Sequence, residues 1–496
     1  MIGPRPTDDV DAIADLAERA LATGEEEQAI PLVQSAAEHD GSALLWQWTA
    51  LLQRSLDDHP NALRSFGQAQ RLAPADGRIA QGLAQTAMEA GLDAVGLFER
   101  AHLLAPQDGA ILVGLAAARN AVGDGERGAN ELAGILERAP MWTYGHEQLA
   151  QLLSILGRPE EATNSIEHAI QRFPAAVELW RSLLEIQLRR REYQSLKQIV
   201  ERASAAKVES PHFAFYLAIH EAEISDELHP AILFAKAAPD VEIALDAWRV
   251  RHLLRVGAVD AALPIIDEGL NGPAAHVLWP YAATAWRLAQ DRRLEWLEGN
   301  PALVRTFDLT SELPPLDELA SALRALHLAR GEFPDQSVRG GTQTDGPLFN
   351  RIDPIIQKLR SAIVGAVEAY QLDLPPIDPC HPLLAHRRDR RVRFSGSWSV
   401  RLHGGGSHSN HVHPQGWISS ALYVSLPPKR HDDAEDAGWL TLGEPDAQMQ
   451  LDLPPTRKIE PKIGQLVLFP SWMWHGTVPF SEGERLTVAF DVRPPI

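Results

Sequence analysis

Residues 69–84, "AQRLAPADGRIAQGLA", return in altered form as "AHLLAPQDGAILVGLA" at residues 101–116. Prolines recur at steps of 32, 34 and 34 residues at Pro74, Pro106, Pro140 and Pro174. A small residue precedes three of these prolines by five positions, at Ala69, Ala101 and Ala169. Proline ends a helix, a small residue permits close helix packing, and a period near 34 is typical of tetratricopeptide arrays. The sequence therefore predicts an all-α tetratricopeptide-type solenoid over residues 1–300.

A solenoid of this kind presents a concave surface that commonly holds a peptide or another protein. We expect such a partner here, although an array that only scaffolds or dimerises has the same period. The oligomeric state stays open.

The residue pattern changes toward the C-terminus, where short runs rich in β-branched and aromatic residues replace the helical pattern. Examples are "RFSGSWSVRL" (393–402), "WISSALYVSL" (417–426) and "RLTVAFDV" (485–492). Many short strands separated by turn residues predict a sandwich or barrel. We expect a double-stranded β-helix (jelly-roll) over residues 391–496, and a helical bridge and linker over 301–390 that contains the loop "RGGTQT" (339–344). The fold class is thus a multi-domain α + β chain.

Charge and cysteine content restrict the partners and the compartment. The net charge of −20, without a long basic stretch, disfavours binding to nucleic acids and to anionic membranes. The single cysteine, Cys380, excludes an intrachain disulfide and suits a reducing compartment. The N-terminal residues do not resemble a signal peptide, and no apolar run is long enough for a membrane helix. We therefore expect a cytoplasmic location.

Two histidines two residues apart suggest half of a metal site. His411 and His413 lie in "NHVHPQGWISSALYV" (410–424), and alternation along a strand points both side chains to the same face. His475 lies 62 residues beyond His413, in a turn between two predicted strands, and could supply the third ligand. Three such ligands with open positions opposite are expected of a non-haem iron(II) oxygenase.

Arg485 and Thr487 follow His475 and would share one face of a strand. An arginine fork with a neighbouring hydroxyl suits a dicarboxylic co-substrate such as 2-oxoglutarate. Other polar and aromatic residues have weaker signals. His403 and His408 lie in "HGGGSHSN", expected to be a mobile loop, and are predicted to be exposed or to support the site. Further candidates for the pocket, each with an ordinary core or turn explanation, are Trp398, Asn410, Tyr423, Arg339 and Gln343.

Residues 394–493 resemble the tetratricopeptide-repeat-containing 2-oxoglutarate/Fe(II)-dependent oxygenases. The resemblance lies in "SGSWSVRL", "HVHPQGWISSALYV", "GWLTLGEP" and "GQLVLFPSWMWHGTVPF". It implies a jelly-roll, an Fe(II) cofactor, and substrate oxidation by dioxygen coupled to decarboxylation of 2-oxoglutarate. His411 would be the first metal ligand, His475 the distal one, and Arg485 the carboxylate clamp.

One departure from the wider superfamily concerns His413, which stands where aspartate or glutamate is usual. His413 is either the third ligand, leaving the site about one charge unit more positive, or a residue that orients water or substrate. We predict an oxygenase that hydroxylates a side chain of a peptide or protein held by the repeats. The alternatives are a free amino acid or small metabolite as substrate, a non-catalytic interaction protein with a degenerate jelly-roll, and a three-histidine dioxygenase without a co-substrate. Arg485 and Thr487 argue against the last.

Overall fold

The computed structural model describes residues 10–225, 234, 245–331, 333, 336–431 and 433–495. Residues 1–9 of the predicted array, and 226–233 and 235–244 within it, lie outside the described residues. No helix within the described ranges is both long and apolar enough to span a lipid bilayer.

Helices fill most of the described chain as far as residue 298, and two more follow. The α-helices of the described residues are α1 (Val10–Thr23), α2 (Glu26–Asp40), α3 (Ala43–Ser55), α4 (His59–Leu72), α5 (Gly77–Glu89), α6 (Val95–Leu104), α7 (Gly109–Ala121), α8 (Gly125–Arg138), α9 (Thr143–Ile155), α10 (Asn164–Arg172), α11 (Val177–Arg189), α12 (Tyr193–Ala205), α13 (Phe213–Ile224), α14 (Leu245–Arg255), α15 (Val259–Gly269), α16 (Ala275–Leu288), α17 (Arg293–Glu298), α18 (Leu316–Ala325) and α19 (Pro354–Asp373). Consecutive helices of the first half pack against one another.

The repeated motif folds in the same way at Pro74 and Pro106, whereas the helices after Pro140 and Pro174 begin without a side-chain cap. Helices α4 and α6 end two residues before Pro74 and Pro106. The side chains of Asp76 and Asp108 then accept hydrogen bonds from the first amide groups of α5 and α7, which satisfies donors that a helix start leaves open. Repetition in the sequence thus becomes repetition of caps and turns.

Small residues set the distance between the helices of a pair. Ala69, predicted for this role, is fully buried. A Cβ atom added to Gly82 would collide with the ring of Phe66, and one added to Gly114 would collide with Phe98. The close approach that the sequence predicts therefore depends on glycine as well as alanine.

The C-terminal strands form two sheets. The strands are β1 (Arg305–Asp308), β2 (Val338–Gln343), β3 (Phe394–His408), β4 (Ile418–Ser425), β5 (Leu440–Leu442), β6 (Arg457–Ile459), β7 (Gln465–Pro470), β8 (His475–Thr477) and β9 (Glu484–Val492). The larger sheet has the order β1-β7-β4-β9-β3-β2 and the smaller β6-β5-β8, and all pairings are antiparallel. An isolated bridge between His411 and His475 extends the smaller sheet. The chain passes between the two sheets as a double-stranded β-helix does.

Two glycine-rich segments predicted as loops are strands. "RGGTQT" supplies most of β2, and "HGGGSH" is the end of β3, so both loop predictions were wrong. The strands shift register between Arg339 and Gly341. A Cβ atom on Gly340 would lie 3.0 Å from the Cα atom of Gly406. Glycine here permits a close approach of two backbones at an irregular strand pair.

One apolar core joins the last helices of the array to the sheets. It runs from Ala247 on α14 to Val492 on β9. Polar contacts cross the same boundary: Arg287 donates to the carbonyl oxygen of Gly443 at 3.0 Å, and the indole of Trp474 donates to a carbonyl oxygen of α16 at 3.2 Å. The boundary predicted at residue 300 falls within the stretch of chain that contributes to this core. The domain boundaries remain predictions. β1 and β2 also come from the segment predicted as a helical bridge.

Candidate functional site

Three histidines meet where the two sheets face each other. His411 and His475 exchange two main-chain hydrogen bonds of 3.0 Å, and the amide of His413 donates to the carbonyl oxygen of Ser471 at 3.0 Å. The ring centroids lie 4.1 to 5.0 Å apart, and one nitrogen from each ring lies within 4.8 Å of the other two. The structure therefore brings together the predicted triad in a cluster that could hold one metal ion. Their role as ligands stays a prediction.

Each ring of the triad is oriented through its Nδ1 atom. The Nδ1 of His411 and that of His475 lie 2.8 and 3.0 Å from the carbonyl oxygen two residues earlier. The Nδ1 of His413 lies 2.5 Å from a carboxylate oxygen of Asp491. Because these partners only accept hydrogen bonds, we assign the proton to Nδ1, which places a lone pair on the Nε2 of every ring.

The surroundings keep two of these rings neutral. Burial, followed by the neighbouring imidazoles, holds the pKa values of His411 and His475 well below the usual histidine range. The Nε2 of His411 lies 3.1 Å from the hydroxyl of Ser337, which also contacts the Nδ1 of His408 at 3.0 Å. Neutral imidazoles are the form that binds metals.

Arg485 is the largest charged side chain buried in the sandwich. It lies on β9 with 2% exposure, and its guanidinium lies over the ring of Tyr423 at 5.2 Å. Burial lowers the pKa of this guanidinium. Its Nε has no hydrogen-bond partner, and within the described part of the chain it forms no ion pair. A buried cation without a counter-charge is strongly unfavourable, so the site is complementary to an anion.

A narrow cavity of about 40 Å³ connects Arg485 with the triad. Thr487, Gln343 and Ser420 line it between the two ends. Thr487 lies on the same face of β9 as Arg485, as predicted from strand alternation. The arrangement offers nitrogen donors for a metal at one end and a cation for a carboxylate at the other.

A wider cleft of about 570 Å³ separates the helical array from the sheets, and His411 and His413 line it. Aromatic side chains line both walls: Tyr193, Trp248 and Tyr281 on the helices, and Trp398 and Trp474 on the sheets. Beside the cleft, Asp446 of the sheet domain lies 3.4 Å from a nitrogen of Arg191 and 3.7 Å from one of Arg251. The cleft therefore gives access to the triad between an α-helical and a β wall.

The weaker candidates have different environments. His403 is exposed and His408 half-buried. The ring of Trp398 stacks on His413 with centroids 5.5 Å apart. Asn410 donates to a carbonyl oxygen at 3.3 Å, and Arg339 donates to the carbonyl oxygens of its own strand region. Of these five, Trp398 and His408 touch the triad, since the ring of His408 stacks on that of His411 with centroids 5.9 Å apart.

Sequence reasoning missed Asp491 and Ser337, which both contact the triad. A signal for Asp491 existed, because residues 485, 487, 489 and 491 alternate onto one face of β9. Ser337 had no such signal. It lies 74 residues from His411 in sequence, and only the pairing of β2 with β3 brings the two together.

Comparisons with known proteins found one matching family model and several similar solved structures. Residues 396–491 match the family model described as "Putative 2OG-Fe(II) oxygenase". Solved structures similar to the chain include a Pseudomonas putida prolyl-4-hydroxylase (19% identity, 39% of this chain and 92% of that chain, TM-score 0.26). A second is HygX from Streptomyces hygroscopicus with nickel and 2-oxoglutarate bound (12% identity, 39% of this chain and 83% of that chain, TM-score 0.26). A third is YrrB, a TPR protein with an unusual peptide-binding site (16% identity, 35% of this chain and 91% of that chain, TM-score 0.28). No curated protein matches the sequence.

Proposed function

We propose, from the premise that residues 396–491 match the 2OG-Fe(II) oxygenase family, that this protein is a 2-oxoglutarate- and Fe(II)-dependent dioxygenase. It hydroxylates a side chain of a peptide or protein that the helical array helps to hold. One observation carries the proposal: three converging histidines share a cavity with a buried arginine that lacks an ion-pair partner among the described residues.

The donor set fits ferrous iron. His411, His413 and His475 hold the metal through Nε2, since each Nδ1 is already bonded to an oxygen. Imidazole suits iron(II), and three protein ligands leave further coordination positions open. The sequence pattern alone left the role of His413 undecided, and its ring within the cluster supports a ligand role.

The cavity fits a dicarboxylic co-substrate. Arg485 binds the far carboxylate of 2-oxoglutarate, and Thr487 adds a hydroxyl beside it. Tyr423 lies under the guanidinium and limits its movement. Bound together, Fe(II), 2-oxoglutarate and dioxygen would supply the oxidising chemistry of the site: one oxygen atom of dioxygen would enter a substrate C–H bond, and the other would enter the succinate that forms as 2-oxoglutarate loses carbon dioxide.

Aromatic rings shield this chemistry from water. Phe469 lies against His475 with centroids 4.9 Å apart, and Trp398 lies on His413. Exclusion of water protects a reactive oxidant from side reactions. The open side of the triad faces the cleft, which is where a substrate C–H bond must approach.

The cleft supports a peptide or protein substrate. Its volume of about 570 Å³ lies within the usual range for ligand sites, roughly 300–1,000 Å³, and one wall belongs to the array. Binding of substrate residues remote from the reacting carbon raises the effective concentration of the target side chain.

The test is formation of succinate by the full-length protein given Fe(II), 2-oxoglutarate and air. We expect succinate with Fe(II), and none when the iron is omitted or when His475→Ala replaces the wild type. Succinate formation at the same rate in His475→Ala would contradict the proposal. So would a wild-type protein that retains iron but forms no succinate with or without a cellular peptide mixture.

A further inference from the structure

The proposed iron site contains no carboxylate among its three ligands, yet a carboxylate lies directly behind one of them. Asp491 is 7% exposed and its Oδ2 atom lies 2.5 Å from the Nδ1 of His413. His411 and His475 instead donate to main-chain carbonyl oxygens, which carry no net charge. His413 is thus the one member of the triad that a formal negative charge supports.

The surrounding residues hold this carboxylate in place. The hydroxyl of Ser419 donates to the Oδ1 of Asp491 at 2.5 Å, and the two residues are direct partners in the pairing of β4 with β9. Gly416 lies alongside, and a Cβ atom there would come within 3.2 Å of the Cβ of Asp491. Both oxygens of Asp491 are therefore engaged, one by the strand neighbour and one by the imidazole.

We infer that Asp491 is a positioning residue that supplies, through His413, the negative charge that a carboxylate ligand would otherwise give the metal. This inference rests on the proposed function. Accepting the Nδ1 hydrogen fixes the tautomer of His413, so that Nε2 carries the lone pair. A carboxylate in that position also makes the Nε2 lone pair a better donor.

The charges explain how a three-histidine site retains a ferrous ion. Three neutral imidazoles alone leave the doubly charged ion uncompensated, whereas two histidines with an aspartate ligand remove one unit. Asp491 supplies the missing negative charge from behind the imidazole of His413, one ring away from the metal. His413 and Asp491 together then act as the third, anionic ligand.

Asp491→Asn tests the inference, because it keeps the shape of the side chain and removes its charge. Cobalt(II) is the probe, and anaerobic titration of the full-length protein followed by visible absorption gives the affinity. We expect cobalt binding about 10- to 100-fold weaker than in the wild type, with an altered absorption spectrum at saturation. Ser419→Ala, which frees one oxygen of Asp491, is expected to weaken binding less.

Asp436→Asn is the matched control. It removes a charge from the same sheet domain, where Asp436 pairs with Lys458 at 2.5 Å, and its cobalt affinity should equal that of the wild type. Unfolding of each metal-free variant, followed by circular dichroism, verifies that the chain folds. Equal cobalt affinity in folded Asp491→Asn and in the wild type would overturn this inference and leave the proposed function intact. Failure of the wild type to bind cobalt would contradict the proposed function and overturn the inference with it.

Discussion

The helical array and the sheet sandwich differ in how far apart in sequence their contacting elements lie. In the array each unit packs on its neighbours in sequence, and the same cap and the same close glycine contact recur in successive units. In the sandwich β1 pairs with β7 and β3 with β9, so neighbours in space are far apart in sequence. The polar residues of the triad cavity therefore come from strands that are distant in sequence, whereas the array contributes one wall of the wider cleft. We expect substitutions in the sandwich to remove chemistry and substitutions in the array to alter affinity.

The largest effect is expected at the triad. His411→Ala removes a proposed metal ligand, so the affinity for iron should fall by more than the about 10- to 100-fold typical of residues that only support a ligand. The measurement is the iron content after anaerobic loading and gel filtration. His403→Ala, an exposed histidine on β3, is the control and should retain iron. Full iron content in His411→Ala would show that the metal lies elsewhere.

The next effect is expected at the other end of the narrow cavity. Arg485→Lys keeps the positive charge but replaces the planar fork with a single ammonium group, and loss of one hydrogen bond to a charged group costs roughly 2 kcal/mol. The KM for 2-oxoglutarate should rise about 30-fold or more, while the iron content stays unchanged.

Arg401→Lys is the matched control for Arg485→Lys, because Arg401 lies on the adjacent strand but pairs with Glu484 at 2.5 Å. Its KM for 2-oxoglutarate should be that of the wild type. An unchanged KM in Arg485→Lys would show that another residue binds the far carboxylate. Wild-type turnover in the absence of 2-oxoglutarate would instead favour a dioxygenase that uses three histidines and no co-substrate.

A smaller effect is expected in the array wall of the cleft. Trp248 packs edge-on against Tyr193 with centroids 6.0 Å apart, and Trp248→Ala should raise the KM for a hydroxylated peptide about tenfold, with kcat little changed. Tyr144→Ala, a half-exposed aromatic residue elsewhere in the array, should leave the KM unchanged. If the KM of Trp248→Ala for the peptide equals that of the wild type, a free amino acid or small metabolite is favoured as the substrate.

The smallest effect concerns the stability of the contact between the segment after α18 and the larger sheet. His327 follows α18 and contacts the hydroxyls of Thr342 on β2 and Ser399 on β3 at 2.8 and 3.1 Å. Burial lowers its pKa from 6.5 to about 4. Between these values the unfolded chain binds a proton that the folded chain does not.

The contribution of neutral His327 is therefore complete above pH 6.5 and is lost as the pH falls toward 4. The unfolding temperature should drop by a few degrees over this range, and His327→Gln should reduce that drop. An identical pH dependence in His327→Gln, measured by circular dichroism, would exclude this histidine as the cause.

The sequence predicts the periodic part of the molecule and the clustering of the three histidines better than it predicts strand partners. Local signals mark the helix ends in the array: Pro74, Pro106 and the aspartates that cap the next helices act on residues close to them in sequence. Their effects can therefore be predicted from short stretches of sequence. "RGGTQT" was misassigned because glycine weakens an isolated strand. Here Gly340 faces Gly406, and the contact between two strands decides the structure.

The candidate site shows the same difference between local signals and contacts that are distant in sequence. Strand alternation brought His411, His413, Arg485 and Thr487 into the prediction. Arg485 and Thr487 do lie on β9, whereas His411 forms only an isolated bridge and His413 lies outside the strands. Asp491 acts on His413 from 78 residues away, and Ser337 acts on His411 from 74. Only the pairing of strands distant in sequence reveals such partners.

A crystal structure of the full-length protein grown without oxygen, with Mn(II) replacing iron and with 2-oxoglutarate, tests the central claim most directly. We predict one manganese ion bound to the Nε2 atoms of His411, His413 and His475. We also predict the far carboxylate of 2-oxoglutarate on the guanidinium of Arg485. Manganese bound away from these rings, or 2-oxoglutarate bound without contact to Arg485, would contradict it.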